Sequence, residues 1–160
     1  MKILMEKHFF SLLIAMLLLV PSVKAENKSA IKPVQLTCEY LENPSVVDKE
    51  NPRMSWINKL TDATKRGEKQ TAWQIRVASS EEKLLGNDVD LWDSGRVKSD
   101  ESTLIAYNGK KLQSKQECWW QVRVWDSKGK MSEWSRPAYW CMGLLQPSDW
   151  KAKWIGAPWQ

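Results

Sequence analysis

Thr71-Ala72-Trp73-Gln74-Ile75-Arg76-Val77-Ala78-Ser79 is the stretch that decides the fold. Trp73, Ile75 and Val77 alternate with Gln74 and Arg76, the period of two that places one row of side chains in a core and the other in water. A helix would smear these residues around its circumference. A strand with one wet face belongs to an antiparallel sheet. Outward from it, short alternating stretches recur at roughly ten to twenty residues, each bounded by Gly, Pro, Asn, Asp or Ser. Seven strands are predicted, over 34–40, 53–58, 71–79, 91–93, 104–107, 118–126 and 134–142. Seven short strands in about 110 residues make an all-β, seven-strand antiparallel sandwich. Pro44, Pro52 and Pro137 fall at strand entrances or on an edge, where a missing donor costs little. The charged stretch 61–69 has no apolar period and reads as a mobile loop, and 81–85 has room for one helical turn.

Before the sandwich stand Lys2 and Lys7, an apolar run over 9–20 broken only by Ser11, and Pro21-Ser22-Val23-Lys24-Ala25. These are the charged, apolar and small-residue regions of a secretory signal peptide, so residues 1–25 are expected to form a signal-peptide helix that is removed. About a dozen apolar residues do not span a hydrocarbon core of ~30 Å, so no membrane attachment is expected after cleavage. The expected location is exported, periplasmic or extracellular. Residues 26–32 read as a polar leader, 33–143 as the sandwich, and 144–160 as a linker with the start of a second, truncated domain.

Charge and rare residues narrow the chemistry. Without Lys2, Lys7, Lys24 and Glu6 the net charge is about +3, with bases and acids interspersed, so no nucleic-acid partner is expected. The only histidine, His8, leaves with the signal peptide, which excludes Ser-His and Cys-His nucleophilic pairs. Cys38, Cys118 and Cys141 match no zinc spacing, so neither metal nor cofactor is expected.

The ordered set of motifs is specific. Asn51-Pro52-Arg53-Met54-Ser55-Trp56, Gln74-Ile75-Arg76-Val77-Ala78-Ser79, Leu91-Trp92-Asp93-Ser94-Gly95-Arg96-Val97, Tyr107-Asn108-Gly109 with Leu112, Trp120-Gln121-Val122-Arg123-Val124-Trp125-Asp126, Ser135, Gly143-Leu144-Leu145 and Asp149-Trp150 with Trp154-Ile155-Gly156 follow one another. In this order they resemble the N-terminal segment of bacterial α-L-rhamnosidases, over almost the whole mature chain. The resemblance implies a fibronectin-III/immunoglobulin-like sandwich ahead of a second β-sandwich and a helical-barrel catalytic domain that releases terminal α-L-rhamnose by inverting hydrolysis. The family's catalytic acids lie downstream, so no catalytic residue is carried onto this chain. The partners it implies are the downstream domains of the same polypeptide and a rhamnose-containing glycan. One departure is that Cys118 or Trp120 stands where such sandwiches usually carry a corner tyrosine.

Eleven tryptophans exceed what so small a core can bury. A hairpin turning through 127–132 places Trp125 opposite Trp134 and Cys118 opposite Cys141, close enough for a disulfide, with Cys38 left free. On this register Trp119, Gln121, Arg123 and Trp125 share a face with Trp134, Arg136, Ala138 and Trp140. Same-face neighbours about 6.6 Å apart leave room for a guanidinium between indoles. The candidate site is thus an aromatic ladder of Trp119, Arg123, Trp125, Trp134, Arg136 and Trp140, or, with its indole faces open, a glycan platform. Ser132-Glu133-Trp134-Ser135 is similar to half of the Trp-Ser-x-Trp-Ser element of cytokine-receptor sandwiches, where such ladders are structural. A carbohydrate-binding module and a free-standing adhesion domain remain the rival readings. Asp93, Asp100, Glu101 and Asp126 are read as turn and cap residues, since glycoside hydrolysis wants a carboxyl pair about 5 to 9.5 Å apart across a cleft.

Overall fold

The computed structural model describes residues 28–153 and Gly156. The predicted signal peptide, together with Trp154 and Ile155, lies outside the described residues. Two antiparallel sheets face each other. One contains β1 (Ile31–Cys38), β2 (Arg53–Leu60) and β5 (Ile105–Ala106) in the order β1-β2-β5. The other contains β3 (Gln70–Ala78), β4 (Trp92–Asp93), β6 (Glu117–Asp126) and β7 (Ala138–Cys141) in the order β4-β3-β6-β7. A single helical turn, α1 (Glu81–Leu85), follows β3, and Ser80 caps it by accepting from the Lys83 N–H at 3.3 Å.

The alternation that identified the strands also fills the core. Trp56, Trp73, Ile75, Val77, Trp120, Val122 and Val124 are all buried, with Trp73 the most open at 7%. Each large side chain so buried contributes roughly 1.5–3 kcal/mol. Trp56 and Trp73 meet edge to face at 6.1 Å, and the Trp56 indole N–H donates to Gln70 Oε1 at 3.1 Å. Trp119, one residue out of phase with Trp120, is half-buried, as the period of two requires.

Three expectations are corrected. First, β1 starts inside the predicted leader. Ser29, Ala30 and Ile31 are buried, because the Ala30 N–H donates to the Asp126 carboxylate at 3.0 Å and Ile31 pairs with Leu60. Second, the last strand is shorter than 134–142 and out of the predicted register: Met131, not Trp134, lies opposite Trp125, and within β7 the offset is one residue. Cys118 lies opposite Trp140, Trp119 opposite Tyr139, and Trp120 opposite Ala138. Third, the slip separates the predicted disulfide pair. Cys141 faces Glu117, so it and Cys118 sit on opposite faces of the sheet, and Cys38, Cys118 and Cys141 are all free thiols. Burial, the larger cause, and the nearby Cys38 and Cys141 push the Cys118 thiol up to about 12.

The segment between β6 and β7 sets this register: a tight turn brings Met131 opposite Trp125, and the serines beyond it take up part of the offset. Ser132 N–H donates to the Val124 carbonyl at 2.8 Å, and Ser132 Oγ accepts from the Val124 N–H at 3.0 Å. Ser135 does the same with Val122, at 2.8 and 3.1 Å. Ser132, Ser135 and Ala138 are therefore seated opposite Val124, Val122 and Trp120, three residues on one side against two on the other. The serine hydroxyls replace the carbonyls of a regular ladder, and Trp134 is turned outward. The loop over 61–69 is exposed, as its composition predicts, but Glu68 ties it to the turn after β6 through Lys128 at 2.7 Å and Ser127 at 3.0 Å.

The missing corner tyrosine has a substitute elsewhere. Cys118 and Trp120 are fully buried, and the buried Tyr107 instead donates its hydroxyl to the Lys110 carbonyl at 2.8 Å. Its ring lies edge-on to Trp92 at 5.4 Å and to Trp140 at 6.2 Å.

Candidate functional site

The outer face of the four-stranded sheet carries the ladder. β6 presents Arg123 and Trp125, and the serine-anchored segment presents Trp134. The Arg123 guanidinium lies over Trp134 at 4.5 Å and over Trp125 at 5.3 Å. Two further arginines extend the stack, Arg96 over Trp125 at 4.7 Å and Arg76 over Trp134 at 4.8 Å. The order is Arg96, Trp125, Arg123, Trp134, Arg76.

The remaining predicted members lie elsewhere. Trp140 is fully buried in the core, where its indole N–H meets the Met142 sulfur at 3.2 Å, and the one-residue slip is the cause. Trp119 stacks on Tyr139 at 5.2 Å, also a product of the true register. Arg136 is exposed and outside the stack.

Arg76 and Arg96 come from β3 and from the turn after β4, outside the β6–β7 hairpin on which the predicted ladder rests. The period of two in β3 already put Arg76 on the wet face, and Gln74 is the cross-strand partner of Arg123.

Hydrogen bonds fix the stack from beneath. Gln74 Oε1 accepts from Arg123 at 2.9 and 2.6 Å, and Gln74 Nε2 donates to Asp93 at 2.6 Å. Asp93 also binds Arg76 at 2.9 Å, and Arg76 reaches Asn87 at 2.8 Å. Burial, and then the like charge of Arg76, lowers the Arg123 proton affinity. Three cations sharing two rings, with Asp93 bonded to one of them, offset part of that repulsion through the ring quadrupoles. Arg123→Ala is expected to cost ~1–2 kcal/mol in chemical denaturation through lost stacking and packing. Arg136→Ala should stay within about 0.5 kcal/mol. Equal effects of the two would show that the stack contributes nothing.

The carboxylates are held for structure. Burial raises the Asp93 carboxyl, but bonds from Gln74, the Gly95 N–H and Arg76 outweigh it and bring it below the usual range. Asp126 is likewise raised by burial and then lowered further by the N–H groups of Ala30, Lys130 and Lys128. A general acid for glycoside hydrolysis needs a raised value. Asp100 and Glu101 lie exposed on the connection to β5. An open groove of about 650 Å³ runs between β1 and the 132–138 segment, bordered by Glu42 and Glu133. Glu133 is exposed and paired with Lys28 at 3.0 Å. Among the described residues no group of three or more His, Cys, Asp and Glu could hold a metal ion.

The fold and this face define a seven-strand immunoglobulin-like sandwich with an arginine–tryptophan stack on its four-stranded sheet. The chain belongs to the family described as Rha78A-like, N-terminal immunoglobulin domain, whose model matches residues 33–146. It is 45% identical over 130 residues to an α-L-rhamnosidase of Streptomyces avermitilis, covering 81% of this chain and 12% of that protein. An α-L-rhamnosidase of Formosa agariphila is 44% identical over 114 residues, 71% of this chain and 12% of the relative. Among solved structures, Streptomyces avermitilis α-L-rhamnosidase complexed with L-rhamnose superposes with a TM-score of 0.74 at 43% identity, covering 81% of this chain and 12% of the other. The α-L-rhamnosidase from Dictyoglumus thermophilum gives 0.73 at 42% identity, over 78% and 14%. The chain thus spans about an eighth of the length of these relatives, and the domain is part of a larger polypeptide in them.

Proposed function

We propose that this chain is a non-catalytic accessory module of an exported α-L-rhamnosidase, which it supports and positions without taking part in the chemistry. The carrying observation is the stack itself. Trp125 and Trp134, the indoles a sugar ring would use, have guanidiniums over them, and the carboxylates beside them serve Gln74, Arg76 and backbone N–H groups. The relatives' names supply the parent activity, and the small share of their length that is matched supports an accessory role. The signal-peptide pattern of residues 1–25 supports export to the periplasm or the outside of the cell.

The chain purified alone is expected to leave an aryl α-L-rhamnoside intact. The assay compares it with buffer and with the Streptomyces avermitilis enzyme. Turnover that survives repurification and disappears in Asp93→Asn would overturn the reading. The rival glycan platform predicts binding of a rhamnose-containing glycan that Trp125→Ala abolishes without unfolding the domain. The accessory reading expects no such binding.

A further inference from the structure

The connection between β1 and β2 exposes three large apolar side chains, Tyr40 at 68%, Leu41 at 58% and Val46 at 62%. Cys38 and Leu41 exchange backbone hydrogen bonds of 2.9 and 3.0 Å around a two-residue turn. Within it Glu39 and Tyr40 have φ of 47° and 71°. Left-handed backbone at both central positions favours Asn and Gly, and a bulky aromatic there is strained. The surroundings enforce it. Glu39 holds Arg53 through two bonds of 3.0 and 2.7 Å and accepts the Arg53 N–H at 2.8 Å, while the guanidinium lies over the Tyr40 ring at 5.5 Å. A strained turn fixed in this way presents apolar groups to water, which points to a contact surface.

Its place says what covers it. The Cys141 N–H donates to the Pro44 carbonyl at 3.1 Å, and Val47 bonds Cys141 and Gly143 at 2.9 and 2.8 Å. The segment bearing Val46 therefore lies along β7, where the chain leaves the sandwich. Beyond Gly143 the path is fixed. Leu145 N–H donates to Ser114 Oγ at 2.9 Å, Ser114 donates to the Asp149 carboxylate, and that carboxylate also accepts the Gln146 N–H at 3.0 Å. In the relatives a domain of this family is N-terminal and makes up 12% of the length, so the bulk of the polypeptide follows this exit.

We propose that Tyr40, Leu41 and Val46 form the seat on which the next domain of the same polypeptide docks, an inference that rests on the accessory-module reading above. Three side chains are too few for a free partner, since stable interfaces bury upward of about 1,000 Å². A covalently continuous neighbour is held at high effective concentration and needs far less.

The test is hydrogen–deuterium exchange over residues 38–48 in two proteins, the 160-residue chain and the product of its complete genomic reading frame. In the longer product, exchange over 38–48 should slow about tenfold while 55–59, around the exposed Ile57, stays unchanged. Leu41→Asp with Val46→Asp should abolish the difference, and Ile57→Asp should not. A reading frame that closes at Gln160, equal exchange in both proteins, or concentration-dependent protection of the short chain by its own copies would each overturn the proposal. Rhamnosidase activity of the longer product is read in parallel. An active product without protection sinks the docking surface alone, and a protected but inactive one sinks the accessory reading.

Discussion

Asp126→Ala is expected to lower the stability of the sandwich by about 3 kcal/mol or more, because a charged acceptor for buried donors is lost and the donors remain. The Asp126 side chain is fully buried and accepts from the Ala30 N–H at 3.0 Å and from the Lys128 and Lys130 N–H groups at 3.0 and 2.9 Å. Water can reach the turn that carries Lys128 and Lys130. It cannot reach Ala30, which is 3% exposed. The same contact joins the start of β1 to the end of β6, 96 residues apart, so its loss also frees the entry of the chain. Asp126→Asn keeps an oxygen for the turn but sets an amide against Ala30, and an intermediate loss is expected.

The pH dependence follows from the direction of the shift. Hydrogen bonds hold Asp126 below the usual carboxylate range despite its burial, and Glu39 and Asp90 are lowered to about 2. Carboxyls depressed in the folded state stabilise it above their unfolded values near 4, and that contribution disappears as pH falls through the folded ones. Stability should therefore drop between about pH 4 and pH 2. In Asp126→Ala one contributor is missing, so thermal midpoints at pH 7 and pH 3 should lie closer together than in the parent protein. Parallel pH profiles would show that Asp126 plays no part.

The strands were readable because each core position announces itself locally. Trp73, Ile75 and Val77 alternate with polar residues, and so do Trp120, Val122 and Val124, which needs no knowledge of partners. The β6–β7 register was not readable, because it depends on a tight turn and two hydroxyls. Ser132 and Ser135 take the place of ladder carbonyls opposite Val124 and Val122, and a reading that assumes two residues against two cannot anticipate three against two. The turn brings Met131, three residues before Trp134, opposite Trp125. The two three-against-two steps recover two of those residues, and the one left over moves Trp140 from the outer face to the core and separates Cys118 from Cys141. The ladder's centre survives this offset because Trp134 turns outward under either count. Its ends, Arg76 and Arg96, come from β3 and from the turn after β4, and only the sheet order brings them there.

Gly109→Ala is expected to destabilise the domain by roughly 3 kcal/mol, although the residue is exposed on one side and an alanine scan by exposure would pass over it. A Cβ at this position would meet the Trp92 Cβ and the Tyr107 hydroxyl at 2.5 Å and the Leu91 carbonyl at 2.6 Å. Two of these neighbours are fixed by other bonds. Tyr107 donates to the Lys110 carbonyl, and the Leu91 carbonyl accepts from the Lys110 N–H at 3.0 Å. To admit a methyl group, the 107–110 turn must lift from β4, which breaks the tyrosine tether and loosens the edge-on stack of Trp92, Tyr107 and Trp140. Tyr107→Phe removes the hydroxyl alone and should cost only about 1 kcal/mol. The double variant separates the causes: if the clash acts through the hydroxyl, Tyr107→Phe should recover part of the loss from Gly109→Ala in urea denaturation. Additive losses would place the damage at Trp92 and the Leu91 backbone instead, and a Gly109→Ala protein as stable as the parent would show that the turn does not pack as tightly as these distances require.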